Sequence, residues 1–222
     1  MKHLLISALL LVFAQAAEVH AQRLVKIDNA ALIATEDARH RLKYLASCAL
    51  DEATTLAGTV DGKAYEFPGG MGLASNWGNK PLTLAERRWV SACVLARTNA
   101  FGAHVLISMR ADQGDIPSLM ATPEELESHG LFEAGFFGDI FAEEPVAFVC
   151  VGADHLANTE RRATLKRVCT HPSKEISGRT ECGFISIGVC PEGKPPMVKG
   201  ELWPEVIKVW LAGESQPPEP QQ

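Results

Sequence analysis

Six cysteines behind an export leader constrain this chain more than any other feature. Residues 1–21 (MKHLLISALLLVFAQAAEVHA) open with the basic pair Lys2 and His3. Leu4 to Phe13 is apolar except for Ser7, a length that suits a signal-peptide core and is too short to span a bilayer. Ala14-Gln15-Ala16 and Val19-His20-Ala21 both place small residues where signal peptidase needs them. The first cysteine, Cys48, lies beyond either cut, so no lipid-modified cysteine is expected at the mature N-terminus. The expected product is periplasmic or secreted, with no transmembrane anchor once the leader is removed, in a compartment where thiols pair.

The cysteines are Cys48, Cys93, Cys150, Cys169, Cys182 and Cys190. An even number in an exported chain predicts disulfides that use all of them. Cys48 and Cys93 fall in two helical patterns, and a bond between them would lock those helices together. For the rest the expectation is Cys150 with Cys169 and Cys182 with Cys190. A zinc site needs close pairs such as Cys-x2-Cys, and the nearest spacing here is Cys182-x7-Cys190. A catalytic thiol needs one cysteine left unpaired beside a histidine. Neither a metal nor another cofactor is expected.

Hydrophobic residues make up 46 % and charged residues 22 %, an ordinary globular balance. The expected organisation is the leader, one disulfide-bridged domain over residues 22–215, and a disordered tail at 216–222 (QPPEPQQ). The net charge of −6 argues against nucleic-acid binding, which depends on neutralising phosphates.

Thr35 is placed to cap a helix reaching about Leu50, with Ala38, Leu42, Leu45 and Ala49 on one stripe. Residues 57–80 carry six glycines and read as turns and short irregular strands. Thr83-Leu84-Ala85-Glu86 is a capping box that should start a helix ending at Gly102. Val105, Ile107 and Met109 alternate with His104, Leu106 and Ser108, as in a strand over 103–109 buried on at least one face. Thr122-Pro123-Glu124-Glu125 is a second capping box, with Gly130 as the stop. Phe132, Phe136, Phe137, Ile140 and Phe141 form a broad face at helical spacing and read as core. Residues 146–151 and 183–189 read as strands, residues 161–169 as a helix with a basic face, and VIKVWL (206–211) as either helix or strand.

Several residues suggest chemistry. Glu125 and His129 share a helix face, yet the second histidine of the zinc-protease pattern is missing, and a solvated helix end is the simpler reading. Asp112 and Asp115 flank Gly114 in what reads as a surface turn. Asp154 and His155 follow a strand, in the kind of loop that often carries function. Arg161, Arg162, Lys166 and Arg167 form a basic cluster, by default a solvated face. Ser91 and Ser186 lie in no nucleophile motif.

The segment Trp77–Arg110 (WGNKPLTLAERRWVSACVLARTNAFGAHVLISMR), with YLASCAL at Tyr44–Leu50, resembles a block that recurs in a family of exported, cysteine-containing bacterial proteins. The resemblance carries no activity with it. It implies that Cys48 and Cys93 belong to the scaffold, and that the source is a Gram-negative bacterium.

The fold expected is α+β, with two disulfide-linked helices packed on a small, mostly antiparallel sheet. The expected function is non-enzymatic: an exported protein with a binding or cell-envelope role and an envelope or extracellular partner. The alternative is an exported hydrolase drawing acid–base groups from loops, with Asp112, Asp115, Asp154, His155 or His171 as candidates. A membrane- or glycan-binding version needs the aromatics of 132–141 exposed.

Overall fold

The protein is seen in a computed structural model that describes residues 23–99, 104–112, 114, 116–153, 167–171 and 178–213. It is α+β, built around a five-stranded and a three-stranded sheet. The three-stranded sheet runs β1 (Arg23–Lys26), β2 (Thr54–Val60), β3 (Lys63–Pro68). β1 pairs parallel with β2, and β2 pairs antiparallel with β3 through Asp61 and Gly62, both at positive φ. Asp-Gly favours that left-handed two-residue turn, so the hairpin has a local cause in a stretch that composition alone reads as irregular.

Between β1 and β2 stands helix α1 (Glu36–Ala49). Its N-cap is Thr35, whose hydroxyl accepts from the Ala38 amide, and it buries Leu42, Ala46, Cys48 and Ala49. Helix α2 (Leu84–Arg97) begins with the complete Thr83–Glu86 capping box. It closes at Thr98, short of the expected stop at Gly102, which lies outside the described residues.

The larger sheet contains β4 (Ile107–Ala111), β5 (Leu131–Asp139), β6 (Val146–Val151), β7 (Ile185–Val189) and β10 (Ile207–Leu211), in the order β4-β10-β5-β6-β7. Short helix α3 (Pro123–Ser128), capped by Thr122 and Glu125, lies between β4 and β5. Strands β8 (Met197–Val198) and β9 (Glu201–Leu202) make a small hairpin. The β6–β7 pair is parallel and the remaining pairs of this sheet antiparallel, so both larger sheets are mixed.

The expected single small sheet is thereby replaced. Helix α2 packs on β5 and β10, while α1 packs on α2 and on β3 of the other sheet. Phe132, Phe136 and Phe137 lie in strand β5 rather than on a helical face, and Ile140 and Phe141 lie in the turn that follows. Strand alternation sends Phe136 into the main core and Phe137 to the opposite face, against Phe148, Trp203 and Val206. Both phenylalanines are fully buried, whereas Phe132, Ile140 and Phe141 are half-buried. The ambiguous segment 206–211 is strand β10, with Ile207, Val209 and Leu211 buried at alternate positions.

All six cysteines are bonded: Cys48–Cys93, Cys150–Cys190 and Cys169–Cys182. The first bond runs from α1 to α2. The expected Cys150–Cys169 and Cys182–Cys190 pairs are incorrect. Cys150 is the penultimate residue of β6, and the Cys190 amide donates to Val151 at the end of that same strand, so β7 delivers Cys190 to Cys150. Cys169 and Cys182 are left in adjoining turns, tied by the Glu181 amide to the His171 carbonyl.

Candidate functional site

The outer side of the β4–β10–β5 surface, beside α3, joins cations and rings in a half-buried layer. β10 turns Lys208 and Trp210 away from the core, opposite Arg110 and Ser108 of β4. Trp210 stands across from Phe132 of β5, with ring centroids 5.0 Å apart. The Arg110 guanidinium lies over the indole at 4.6 Å, and the Lys208 ammonium lies 5.5 Å from the Phe132 centroid while pairing with Asp112. Arg110 also donates to the Glu125 and His129 carbonyls, at 3.2 and 2.7 Å. It thereby satisfies the open end of α3 and fixes that helix against the sheet.

Burial holds the His129 pKa below the ordinary imidazole value; Glu125 opposes that shift and Arg110 adds to it. The ring is therefore kept neutral near neutral pH, where Ser128 Oγ meets Nδ1 at 2.9 Å. At the margins stand two exposed leucines, Leu126 on α3 (56 % exposed) and Leu106 just before β4 (64 %). Trp and Arg are the residue types that supply most of the energy in protein association, so a layer of Trp210, Arg110 and Phe132 suits protein contact.

Beneath the sheet is a buried ion pair. The β5–β10 register shifts between Val209 and Trp210, so Glu133 has no partner residue on β10. This bulge turns the carboxylate inward, where it is almost wholly removed from solvent. Arg167 meets it with Nε at 3.0 Å and Nη2 at 2.8 Å, and also donates to the Ala96 and Thr98 carbonyls at the end of α2. Thr170 Oγ1 lies 3.5 Å from the same carboxylate. Two charge-assisted bonds commit this carboxylate to a structural partner. Arg167, expected on a solvated basic face, is among the most buried side chains. Residues 161, 162 and 166 of that expected face lie outside the described residues.

A third cluster braces the opposite end of β5. Arg87 pairs with Asp139 at 2.8 Å, and Arg88 pairs with Glu201 and stacks over Trp203 at 4.1 Å. Glu205 stands 3.8 Å from Arg88. Arg87 thereby fastens α2 to the end of β5, and Arg88 fastens it to β9 and the segment that follows.

Of the candidate acid–base residues, Asp112 and His171 fall within the described residues. Asp112 is committed to Lys208, and Asp115, Asp154 and His155 lie outside the described residues. His171 is half-buried, and its Nε2 is buried without a hydrogen-bond partner among the described residues. Ser91 is buried and structural: its hydroxyl donates to the Arg87 carbonyl and accepts from the Ile140 amide. Among the described residues no group of three or more His, Cys, Asp or Glu could hold a metal ion, and no helix is long and apolar enough to cross a membrane.

Sequence reasoning missed Glu133, Arg167 and the Arg110–Trp210 stack. A signal existed for the first: Glu133 is the lone charge in LFEAGFF, and a charge inside an apolar strand needs a partner.

Comparison with family models, curated proteins and solved structures returned no match, so the site is read from its own geometry.

Proposed function

We propose that this is an exported binding protein of the cell envelope or extracellular space, which engages a protein partner through the α3–β4–β10 face. The observation that carries the reading is the half-buried Arg110–Trp210–Phe132–Lys208 layer with exposed Leu106 and Leu126 at its margin. Its composition is that of an interaction centre. Two further facts support it. The buried and half-buried groups Glu133, Asp112, Asp139 and Ser91 are each committed to a structural partner. All six cysteines are bonded, a state that suits an oxidising compartment. The periplasmic or secreted location and the membership of an exported bacterial family belong to this same proposal.

The experiment is affinity capture from envelope extracts with the wild-type chain, Leu126→Glu, Leu106→Glu and a control, Leu32→Glu, at another exposed leucine. Both α3–β4 variants should keep the melting transition and lose a partner that wild type and Leu32→Glu retain. Equal capture by all four, or a hydrolytic activity abolished by His171→Ala, contradicts the proposal.

A further inference from the structure

The Cys169–Cys182 bond differs from the other two. Cys182 is half-buried, whereas Cys48, Cys93, Cys150, Cys169 and Cys190 are buried. Its partners are 13 residues apart, against 45 and 40 for the others. Its position matters more than its size. Arg167 stands two residues before Cys169 and Thr170 directly follows it, and both side chains reach Glu133. The bridge thus fixes the short segment that neutralises the inward carboxylate of β5 and bonds the last carbonyls of α2. Among the described residues the backbone adds two bonds, from His171 to Val168 and from Glu181 to His171.

We propose that Cys169–Cys182 is a thiol-sensitive latch, which a dithiol reductant opens before either other disulfide, releasing Arg167 from Glu133. One thiolate of the dithiol attacks Cys182 Sγ; the S–S bond breaks, and Cys169 departs as a thiolate that takes up a proton. The second thiol of the reductant then attacks its own sulfur in the mixed disulfide and frees Cys182 as a thiol. Two electrons end on the cysteine pair, and the dithiol leaves as a disulfide. With its tether open, the segment 167–171 separates from β5, and the bulge and the end of α2 lose their shared clamp. This inference is independent of the binding face and survives its failure.

The test is stepwise reduction of the native full-length chain with dithiothreitol, with alkylation and peptide mass mapping at each step. Cys169 and Cys182 should take up label at least about tenfold faster than the other four, because local opening suffices to expose them and global unfolding is needed for the rest. In parallel, amide exchange should rise at 131–135 and 95–99 while the remaining helices and strands stay protected. Arg167→Gln with the bond intact should reproduce that exchange pattern. Simultaneous labelling of all six cysteines overturns the proposal, as does earlier reduction of Cys48–Cys93 or Cys150–Cys190. So does selective reduction of Cys169–Cys182 that leaves exchange at 131–135 unchanged. These readings use wild-type protein and stand whether or not a Cys169→Ser/Cys182→Ser variant folds.

Discussion

Glu133 and Arg167 show how a single side chain sets a local requirement. An unpaired carboxylate at that depth is costly, so removing its guanidinium should hurt more than the pair itself helps. Arg167→Met is expected to lower unfolding free energy by about 3–5 kcal/mol in urea titrations, and Glu133→Leu/Arg167→Met to recover part of the loss. A double variant less stable than either single one would contradict this. Thr83 gives a smaller, pH-dependent case. Its amide and hydroxyl hold the Glu86 pKa below the ordinary 4.5. A carboxyl depressed in the folded state contributes stability above about 4.5, and that contribution is lost as pH falls through the lowered value. Thr83→Ala should cost about 1 kcal/mol at neutral pH, with the difference from wild type shrinking in acid melts. The capping boxes were legible in the sequence because their chemistry is confined to four neighbouring residues. The Glu133–Arg167 pair was not, because its partners are 34 residues apart and meet only through the fold.

At the scale of elements, strands β5 and β10 carry the architecture, and both were the least readable. β5 is buried on both faces, so its apolar run has no alternation to separate strand from helix. β10 alternates over only five residues. By contrast β6 was readable to its ends, bounded by Pro145 and Gly152. Two glycines show why β5 is built as it is. A methyl group on Gly135 would lie 3.0 Å from Cys150 Sγ and 3.3 Å from Cys190 Sγ, so this position leaves room for the disulfide above the sheet. Gly138 has φ +152°, and a methyl group there would come within 2.3 Å of the Val146 carbonyl oxygen. Gly138→Ala should therefore break the β5–β6 pairing and lower the melting temperature clearly, with a cost of at least about 1–3 kcal/mol. Gly193, at φ +61° with open space around it, should tolerate alanine with a smaller loss of about 1–2 kcal/mol. Equal losses in thermal melts would show that crowding at Gly138 is not the determinant.

Across the whole molecule, the disulfides divide the labour. Cys48–Cys93 ties α1, which packs on the small sheet, to α2, which packs on the large one. Cys150–Cys190 closes the β6–β7 edge, and Cys169–Cys182 holds the clamp on Glu133. In the chain-entropy account their loops are worth about 4, 4 and 3 kcal/mol, each a large share of a domain's net stability. The first pairing was readable because both cysteines lie on capped amphipathic helices. The other two were not, because sequence proximity favours short loops, whereas here β7 runs parallel to β6 and carries Cys190 back to Cys150. The most direct test is therefore proteolysis of the unreduced protein at a pH that suppresses thiol exchange, with mass mapping of the linked peptides. The account predicts Cys48–Cys93, Cys150–Cys190 and Cys169–Cys182 in full yield; peptides joining Cys150 to Cys169 or Cys182 to Cys190, or alkylatable thiols in the native chain, would contradict it.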